Sequence, residues 1–182
     1  MALLPSIASS AMHGAMVPIA SATVTGSTTA NIDFTGIPQN YQDLYCVCYS
    51  AATTTGVYFN LIYNNDASAI YSRTYLFGNG SAAYSTRATS ETAAYWTTGA
   101  LPNTTNLFQS SIFNVLNYSN TNTFKTLIGR EANDANGSGV TSLTTLLYRS
   151  TSAITSLKVN TTSAYFAAGT TITLYGIRTV GQ

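Results

Sequence analysis

Ionised side chains are what this chain most lacks, since only 7% of its 182 residues are Asp, Glu, Lys or Arg. An ordinary soluble domain has about a quarter. The net charge of +1 offers no electrostatic footprint for nucleic acid, so no nucleic-acid partner is expected.

Ser, Thr, Asn and 13 tyrosines supply the polar surface in place of charged residues. Such neutral side chains lose little hydration when they are covered, and copies of the chain repel one another weakly. We therefore expect a protein that works packed against neighbours. A secreted β-domain that is merely poor in charge is the alternative.

Long apolar runs are also absent. No stretch approaches the roughly 20 apolar residues of a spanning helix, so no membrane is expected as a partner. Residues 1–20 (MALLPSIASSAMHGAMVPIA) are apolar and rich in small residues, but they contain no Lys or Arg and Pro5 interrupts the run. This pattern favours an N-terminal arm bound to a partner over a signal peptide. The predicted organisation is an arm of residues 1–20 followed by one domain, residues 21–182.

Thiols and imidazoles are scarce, with only Cys46, Cys48 and His13 in the chain. Residues two apart in a strand point to the same face, and this spacing suits neither mutual bridging nor a CxxC redox site. Two cysteines and a distant histidine do not complete a structural zinc site. We expect free, buried thiols, no bound metal or other cofactor, and folding in a reducing compartment such as cytoplasm.

The local pattern predicts an all-β protein of about eight to ten short antiparallel strands, in a sandwich or barrel. Asp43–Ser50 alternates two sets that are both apolar or aromatic, as in a strand covered on both faces. Phe124–Ile128 groups its apolar residues on one face, with Lys125 opposite. Helix signals are weak, and the best is a short turn within Ser81–Trp96. The other predicted strands are Val57–Tyr63, Ile154–Val159 and Thr171–Arg178.

Catalytic constellations are missing, so the sequence predicts no catalytic residue and no enzyme. His13 is the only candidate base for a nucleophile, and no serine lies in a G-x-S-x-G motif. Asp33 and Asp43 flank a corner and are the one conceivable glycosidase pair. Hydrogen bonding of turns by these carboxylates is the simpler interpretation.

Binding sites have two weak candidates. Asn64-Asn65-Asp66 and residues 131–136 (EANDAN) resemble Asx turns more than a calcium loop. Glycan binding is more credible than catalysis, because exposed aromatic faces and Asn side chains suit sugars. Packing of Tyr95 and Trp96 onto the sandwich is the favoured alternative. The glycan candidates are Tyr84, Tyr95, Trp96 and Asn103.

The segment Gly36–Tyr41 (GIPQNY) predicts a corner between two strands. Pro38 fixes its own φ and moves Ile37 out of the helical region. The strand ending at Phe34 therefore turns before the next strand begins. The ring of Tyr41 is expected to pack under this corner, with its hydroxyl bonded to backbone.

Two stretches carry a family resemblance. The first is the corner F-x-x-I-P-x-x-Y-x-x-L and the second a closing strand F-x-x-G-x-x-x-x-L-Y-G-I, whereas nothing in residues 50–153 matches. The pattern resembles a group of tailed-bacteriophage virion proteins. The matching positions are Phe34, Ile37, Pro38, Tyr41, Leu44, Phe166, Gly169, Leu174, Tyr175, Gly176 and Ile177.

The resemblance implies a jelly-roll-like β-sandwich that serves as a non-enzymatic virion subunit, either a capsid decoration (cement) protein or a head fibre. It implies a homo-oligomer, with a trimer favoured, that also contacts the major capsid protein or a tail protein. Such a protein is made in the host bacterial cytoplasm and is located in the virion. The alternative is a tail-fibre or tail-appendage protein that binds a receptor or a host-surface glycan.

Overall fold

A computed structural model describes residues 15–95 and 99–179 of the chain. These residues form eleven strands and no helix, hence no helix long and apolar enough to cross a membrane. The strands are β1 (Met16–Thr23), β2 (Asn31–Phe34), β3 (Asp43–Ser50), β4 (Phe59–Tyr63), β5 (Tyr71–Gly78), β6 (Ala83–Glu91), β7 (Gln109–Leu116), β8 (Lys125–Asn133), β9 (Val140–Tyr148), β10 (Leu157–Thr161) and β11 (Thr171–Ile177).

The strands form two antiparallel sheets that pack face to face. The larger sheet has eight strands in the order β1-β11-β3-β7-β8-β9-β5-β6, and the smaller has three in the order β2-β10-β4. This confirms the predicted all-β sandwich. The described strands number one more than the upper end of the predicted range, and they divide unequally between the sheets. The segment predicted to hold a helical turn is mostly β6, whose Ser and Thr side chains favour extended backbone.

The core lies between the two sheets and follows the strand alternation. Leu44, Cys46 and Cys48 of β3 point inward and are at most 1% exposed. The two thiols are free, with their sulfur atoms 3.8 Å apart, which confirms the prediction for the cysteines. Burial raises the pKa of the Cys46 thiol well above its usual value. The small sheet contributes Ile32, Phe34, Phe59, Leu61, Tyr63, Leu157 and Val159 to the same core.

The described residues cover β3 on one face only, where two covered faces were predicted. Its second apolar set points away from the small sheet, and Val47 and Tyr49 are 36% and 48% exposed. A run that is apolar on both faces is typical of a strand with a layer on each side. Here only one layer is present among the described residues.

The strand β8 begins with a buried cation. Phe124 and Ile128 share a face as predicted, but that face is solvent-exposed and Lys125 is buried. The Lys125 ammonium donates hydrogen bonds to the carbonyls of Thr123 at 2.8 Å and Thr151 at 3.1 Å. Burial lowers the pKa of this side chain. Two carbonyl acceptors therefore allow the charge to lie under the sheet while two apolar side chains lie outside it.

The two motif stretches are packed against each other. Leu44 pairs with Gly176 across β3 and β11. A Cβ atom at Gly176 would lie 2.3 Å from the Tyr41 ring, so this position admits only glycine while the ring stays in place. The Tyr41 ring thus packs as predicted. The hydroxyl that donates to the corner carbonyl of Pro38 belongs to Tyr118.

The predicted boundary between arm and domain falls inside a strand. β1 runs from Met16 to Thr23, and it pairs with β11 from Met16↔Ile177 to Thr23↔Thr171. Residues 16–20 of the predicted arm therefore belong to the large sheet. Residues 1–14 lie outside the described part of the chain.

A cluster of buried tyrosines predicts alkaline unfolding. Tyr148 lies 5.3 Å from Tyr63 and 5.0 Å from Tyr71 between ring centroids, and Tyr71 donates to the Asp66 carbonyl at 2.8 Å. Burial raises the pKa of Tyr63, Tyr71, Tyr118 and Tyr148 above the usual value of about 10. Since the unfolded chain ionises first, their contribution to stability is complete below about pH 10 and is lost above it. We expect cooperative unfolding above that pH.

This prediction is checked by following tyrosinate absorbance and far-ultraviolet circular dichroism in one alkaline titration. The late-ionising tyrosines should titrate together with the loss of β signal. Their complete ionisation with the β signal intact would contradict the burial described above.

Candidate assembly surface

The large sheet turns one face away from the small sheet, and this outer face is the candidate site. Strand alternation places every second side chain of five central strands on it. Those strands are β3, β7, β8, β9 and β5, in that order. Its central side chains are Tyr45, Val47, Tyr49, Ile112, Asn114, Ile128, Arg130, Leu143, Thr145, Thr74 and Leu76.

The strand register lines up an apolar row across this face. Val47 is opposite Ile112, Ile112 opposite Arg130, Arg130 opposite Leu143, and Leu143 opposite Leu76. With strands about 4.8 Å apart, five strands span about 19 Å. Leu143 is 46% exposed and Leu76 is 55% exposed. Four of the five side chains in the row are therefore apolar, and two of them are exposed to about half of their surface.

The next row along the strands is neutral. It runs Tyr45, Asn114, Ile128, Thr145 and Thr74, and Ile128 is 46% exposed. A hollow of about 250 Å³ lies between the rows, and its walls include Asn114, Arg130 and Leu143. The outer face is thus gently concave near its centre.

Charge is nearly absent from this face. The outward positions of the five central strands carry two charged side chains, Arg130 in the middle and Asp43 at the start of β3. The Asp43 carboxylate already accepts a hydrogen bond from the backbone N–H of Asn117 at 2.7 Å. Sheet faces that stay in water usually alternate apolar inward with polar outward residues. This face instead has the composition of an interface core, which is depleted in charge and rich in aromatic and aliphatic side chains.

The carboxylates that were considered for catalysis have separate structural partners. Asp33 lies 3.7 Å from the Lys158 ammonium, on the small sheet. Asp43 belongs to the large sheet and accepts the Asn117 bond described above. The Asp43 carboxylate thus accepts a hydrogen bond of the kind that the simpler interpretation expects, whereas Asp33 forms an ion pair with Lys158.

The loop residues considered for calcium form local turns. Asp66 accepts the N–H of Ser68 at 3.0 Å, and Asp134 accepts the N–H of Gly137 at 2.8 Å. The Asn64 side chain joins two segments, since its carbonyl accepts the N–H of Thr155 at 2.8 Å. Among residues 15–95 and 99–179, no group of three His, Cys, Asp or Glu side chains is placed to hold a metal ion.

The glycan candidates are dispersed. Tyr95 is half-buried, and its backbone carbonyl accepts a hydrogen bond from the Arg73 guanidinium at 2.7 Å. The centroid of its ring lies 5.4 Å from the same guanidinium. This is a packing role. Tyr84 is 50% exposed and stacks on Phe77 with ring centroids 5.0 Å apart. Asn103 is exposed in a loop, and Trp96 lies outside the described residues.

The sequence interpretation missed two features. It did not predict that the outer face is open, and it did not predict the ring row formed by Tyr75, Phe77 and Tyr84. The period-2 apolar pattern of β3 and β5 was the available signal for both. That pattern identifies which side chains share a face, but it does not tell whether a second layer covers them.

Comparisons with known protein families, curated proteins and solved structures find no match for this chain. The function proposed below therefore depends on the outer face, on the scarcity of charge and on the sequence resemblance.

Proposed function

We propose that the protein is a non-enzymatic structural subunit of a tailed-bacteriophage particle, and that its outer face packs against another virion protein. A capsid decoration or head-fibre protein is the favoured type, with the major capsid protein as partner. The observation that carries this proposal is the half-exposed apolar group of Leu76, Ile128 and Leu143 on a face with one central charge, Arg130.

The energetics of covering this face favour association. Burial of apolar surface contributes about 25 cal/mol per Å². Burial of ionised groups opposes it, because each charge must lose its hydration. Within the five central strands only Arg130 needs a new acceptor, since the Asp43 carboxylate is already bonded within the chain. Arg87 lies on the same face but at the edge strand β6, opposite Thr74. We therefore expect the partner to present a carboxylate or carbonyl oxygen opposite Arg130 and apolar side chains around it.

The assignment to a phage virion depends on the resemblance of the corner and closing motifs. Their packing supports treating them as one unit, because Tyr41 of the first lies over Gly176 of the second. Phe34, Ile37 and Leu174 from the two motifs are buried in the core. The motifs thus maintain the sandwich, while the outer face is left to bind the partner.

The copy number of the chain in purified virions tests this function. A decoration protein is expected in numbers on the order of those of the major shell protein, because it follows the capsid lattice. A copy number in the range of tail components would support the tail-fibre alternative instead. Absence of the chain from purified virions would contradict the proposal.

The tail alternative has one observation in its favour. Tyr75, Phe77 and Tyr84 form a partly exposed row with ring centroids 5.9 Å and 5.0 Å apart. Such a row offers aromatic faces to a sugar. On this alternative, Trp96→Ala leaves particle assembly intact and weakens adsorption to host cells.

A further inference from the structure

The strand β6 is the open edge of the large sheet. It pairs with β5 on one side, and no described residue pairs with it on the other. Seven of its nine residues are exposed. A long strand with free N–H and C=O groups is a template for another strand unless the protein blocks it.

The other three sheet edges are blocked by ordinary devices. β1 carries Pro18 and a register irregularity next to it. β4 is covered by Ala94, which exchanges two hydrogen bonds with Leu61, at 3.0 Å and 2.8 Å. β2 has only four residues, and the carboxylate of Asp33 lies on it. β6 has no proline, and its register irregularity lies at its far end, between the pairs Tyr71↔Glu91 and Arg73↔Ala88. Arg87 is its one charge before the terminal Glu91.

We propose that β6 pairs antiparallel with β6 of a second copy around a two-fold axis, which joins the two large sheets into one. This inference goes beyond the proposed function, which concerns the outer face, by naming an edge for the self-association that the resemblance implies. Its test is made on the isolated protein, so it can fail independently of virion binding.

The hydrogen bonds of the hairpin show which groups are free. Asn79 donates its N–H to the Ala82 carbonyl at 3.2 Å, at the turn between β5 and β6. Along an antiparallel pair of strands, residue pairs that hydrogen-bond to each other alternate with pairs whose N–H and C=O groups point away from each other. The pair Asn79 and Ala82 is of the first kind, so the pair Gly78 and Ala83 is of the second. The backbone groups of Ala83, Ser85 and Arg87 therefore point away from β5, toward the open edge. These three residues supply the donors and acceptors of the proposed pairing.

The charge on β6 fits a second copy in one register. With the two-fold axis at Thr86, Arg87 lies opposite Ser85 of the second copy, and Tyr84 lies opposite Ala88. The two guanidinium groups are then not directly opposed, and each has a hydroxyl acceptor nearby. Thr86 faces Thr86, a pairing that stabilises antiparallel strands. Tyr84 is 50% exposed and Leu76 is 55% exposed, and the two side chains lie near this edge on opposite faces of the sheet. Pairing with the second copy would bury part of both.

The two-fold pairing differs from the trimer that the resemblance implies. A three-fold ring built through sheet edges needs a second, different open edge to receive β6. The described residues offer none, because the edges at β1, β2 and β4 are blocked. An isologous dimer needs only β6 itself.

The first test is the mass of the protein in solution. The wild-type chain is expected at twice 19.2 kDa by light scattering. Ser85→Pro removes an N–H that points to the open edge and spares the bonds to β5, so the variant is expected at 19.2 kDa with unchanged circular dichroism. Ser85→Ala, which keeps the N–H, is the matched control and should remain dimeric. A wild-type monomer or trimer, or a dimeric and folded Ser85→Pro, would overturn the proposal.

The second test does not depend on how proline is tolerated. Thr86→Cys places a thiol at the proposed two-fold axis, opposite its own copy, where Cβ atoms lie about 5 Å apart. Mild oxidation should convert it to a covalent dimer, while Ser27→Cys, on a distant exposed loop, should stay monomeric on a denaturing gel. Equal cross-linking of both variants would overturn the register. A third measurement tests whether the β6 edge prefers a different partner. An acidic peptide, whose carboxylates could pair with Arg87, is added to the wild-type protein. Binding of this peptide to β6 in place of dimer formation would also contradict the proposal.

Discussion

Gly176→Ala is expected to destabilise the protein by about 2 kcal/mol, within the range of overpacked sites. The new Cβ atom would lie 2.3 Å from the Tyr41 ring, which cannot move freely because it packs against the core. Relief requires rotation of the ring or separation of β3 from β11, and both lose contacts under the corner. Chemical denaturation monitored by circular dichroism measures the free energy of unfolding.

Two control variants make this result specific. Gly26→Ala adds the same methyl group where nothing lies within 4 Å, and it should change the stability by less than about 0.5 kcal/mol. In a Tyr41→Ala background the ring is gone, so adding Gly176→Ala should cost little. An undiminished cost of Gly176→Ala in that background would show that the ring is not the cause.

Ile128→Lys is expected to weaken binding of the subunit to its virion partner by about tenfold or more while the fold is retained. Ile128 is 46% exposed and lies between Asn114 and Thr145, so a lysine there has uncharged neighbours on the adjacent strands. The nearest like charge is Arg130, two residues along β8 on the same face. We expect a loss of stability below about 1 kcal/mol. In the complex, the ammonium would have to be buried without an acceptor, so we expect affinity to fall by about tenfold or more. Incorporation into virions, compared with the wild type in the same infection, measures the effect.

Thr25→Lys is the matched control, because it makes the same charge change at an exposed position between β1 and β2. It should be incorporated like the wild type. Equal incorporation of Ile128→Lys would show that the outer face is not the contact surface. Ser85→Pro should still be incorporated if the face and the β6 edge act separately, so the two proposals are distinguishable.

The sequence predicts local features correctly where the spacing of residues or a fixed backbone angle allows only one arrangement. The i, i+2 spacing of Cys46 and Cys48 put both thiols on one face, and the structure buries them as free thiols. The corner at Pro38 and the packing of Tyr41 followed from proline geometry and from ring size. These features depend on residues near one another in sequence or on a fixed backbone angle.

The sequence could not predict which face of the large sheet packs against the small sheet and which face is exposed. The sequence pattern placed Phe124 and Ile128 on one face with Lys125 opposite, and the structure exposes the two apolar side chains and buries the lysine. The Lys125 ammonium donates hydrogen bonds to the carbonyls of Thr123 and Thr151, and Thr151 lies 26 residues away in sequence. Such long-range acceptors have no local signature. The apolar alternation of β3 likewise gave no sign that one side lacks a layer.

The open outer face was missed for a related reason. Its apolar row joins Val47, Ile112, Leu143 and Leu76, which come from four strands brought together only by the register. The low charge of the chain predicted that some surface would be covered by neighbours. The register of the sheet was needed to identify the surface that we propose for this role.

The most direct measurement is thiol labelling of Leu143→Cys in the free protein and in assembled virions. The native thiols are buried, so they contribute little background. We predict that a maleimide labels the new thiol readily in the free subunit and at least about tenfold more slowly in virions, while Ser27→Cys is labelled equally in both. Equal labelling of Leu143→Cys in the two states would contradict the claim that this uncharged face is covered by another virion protein.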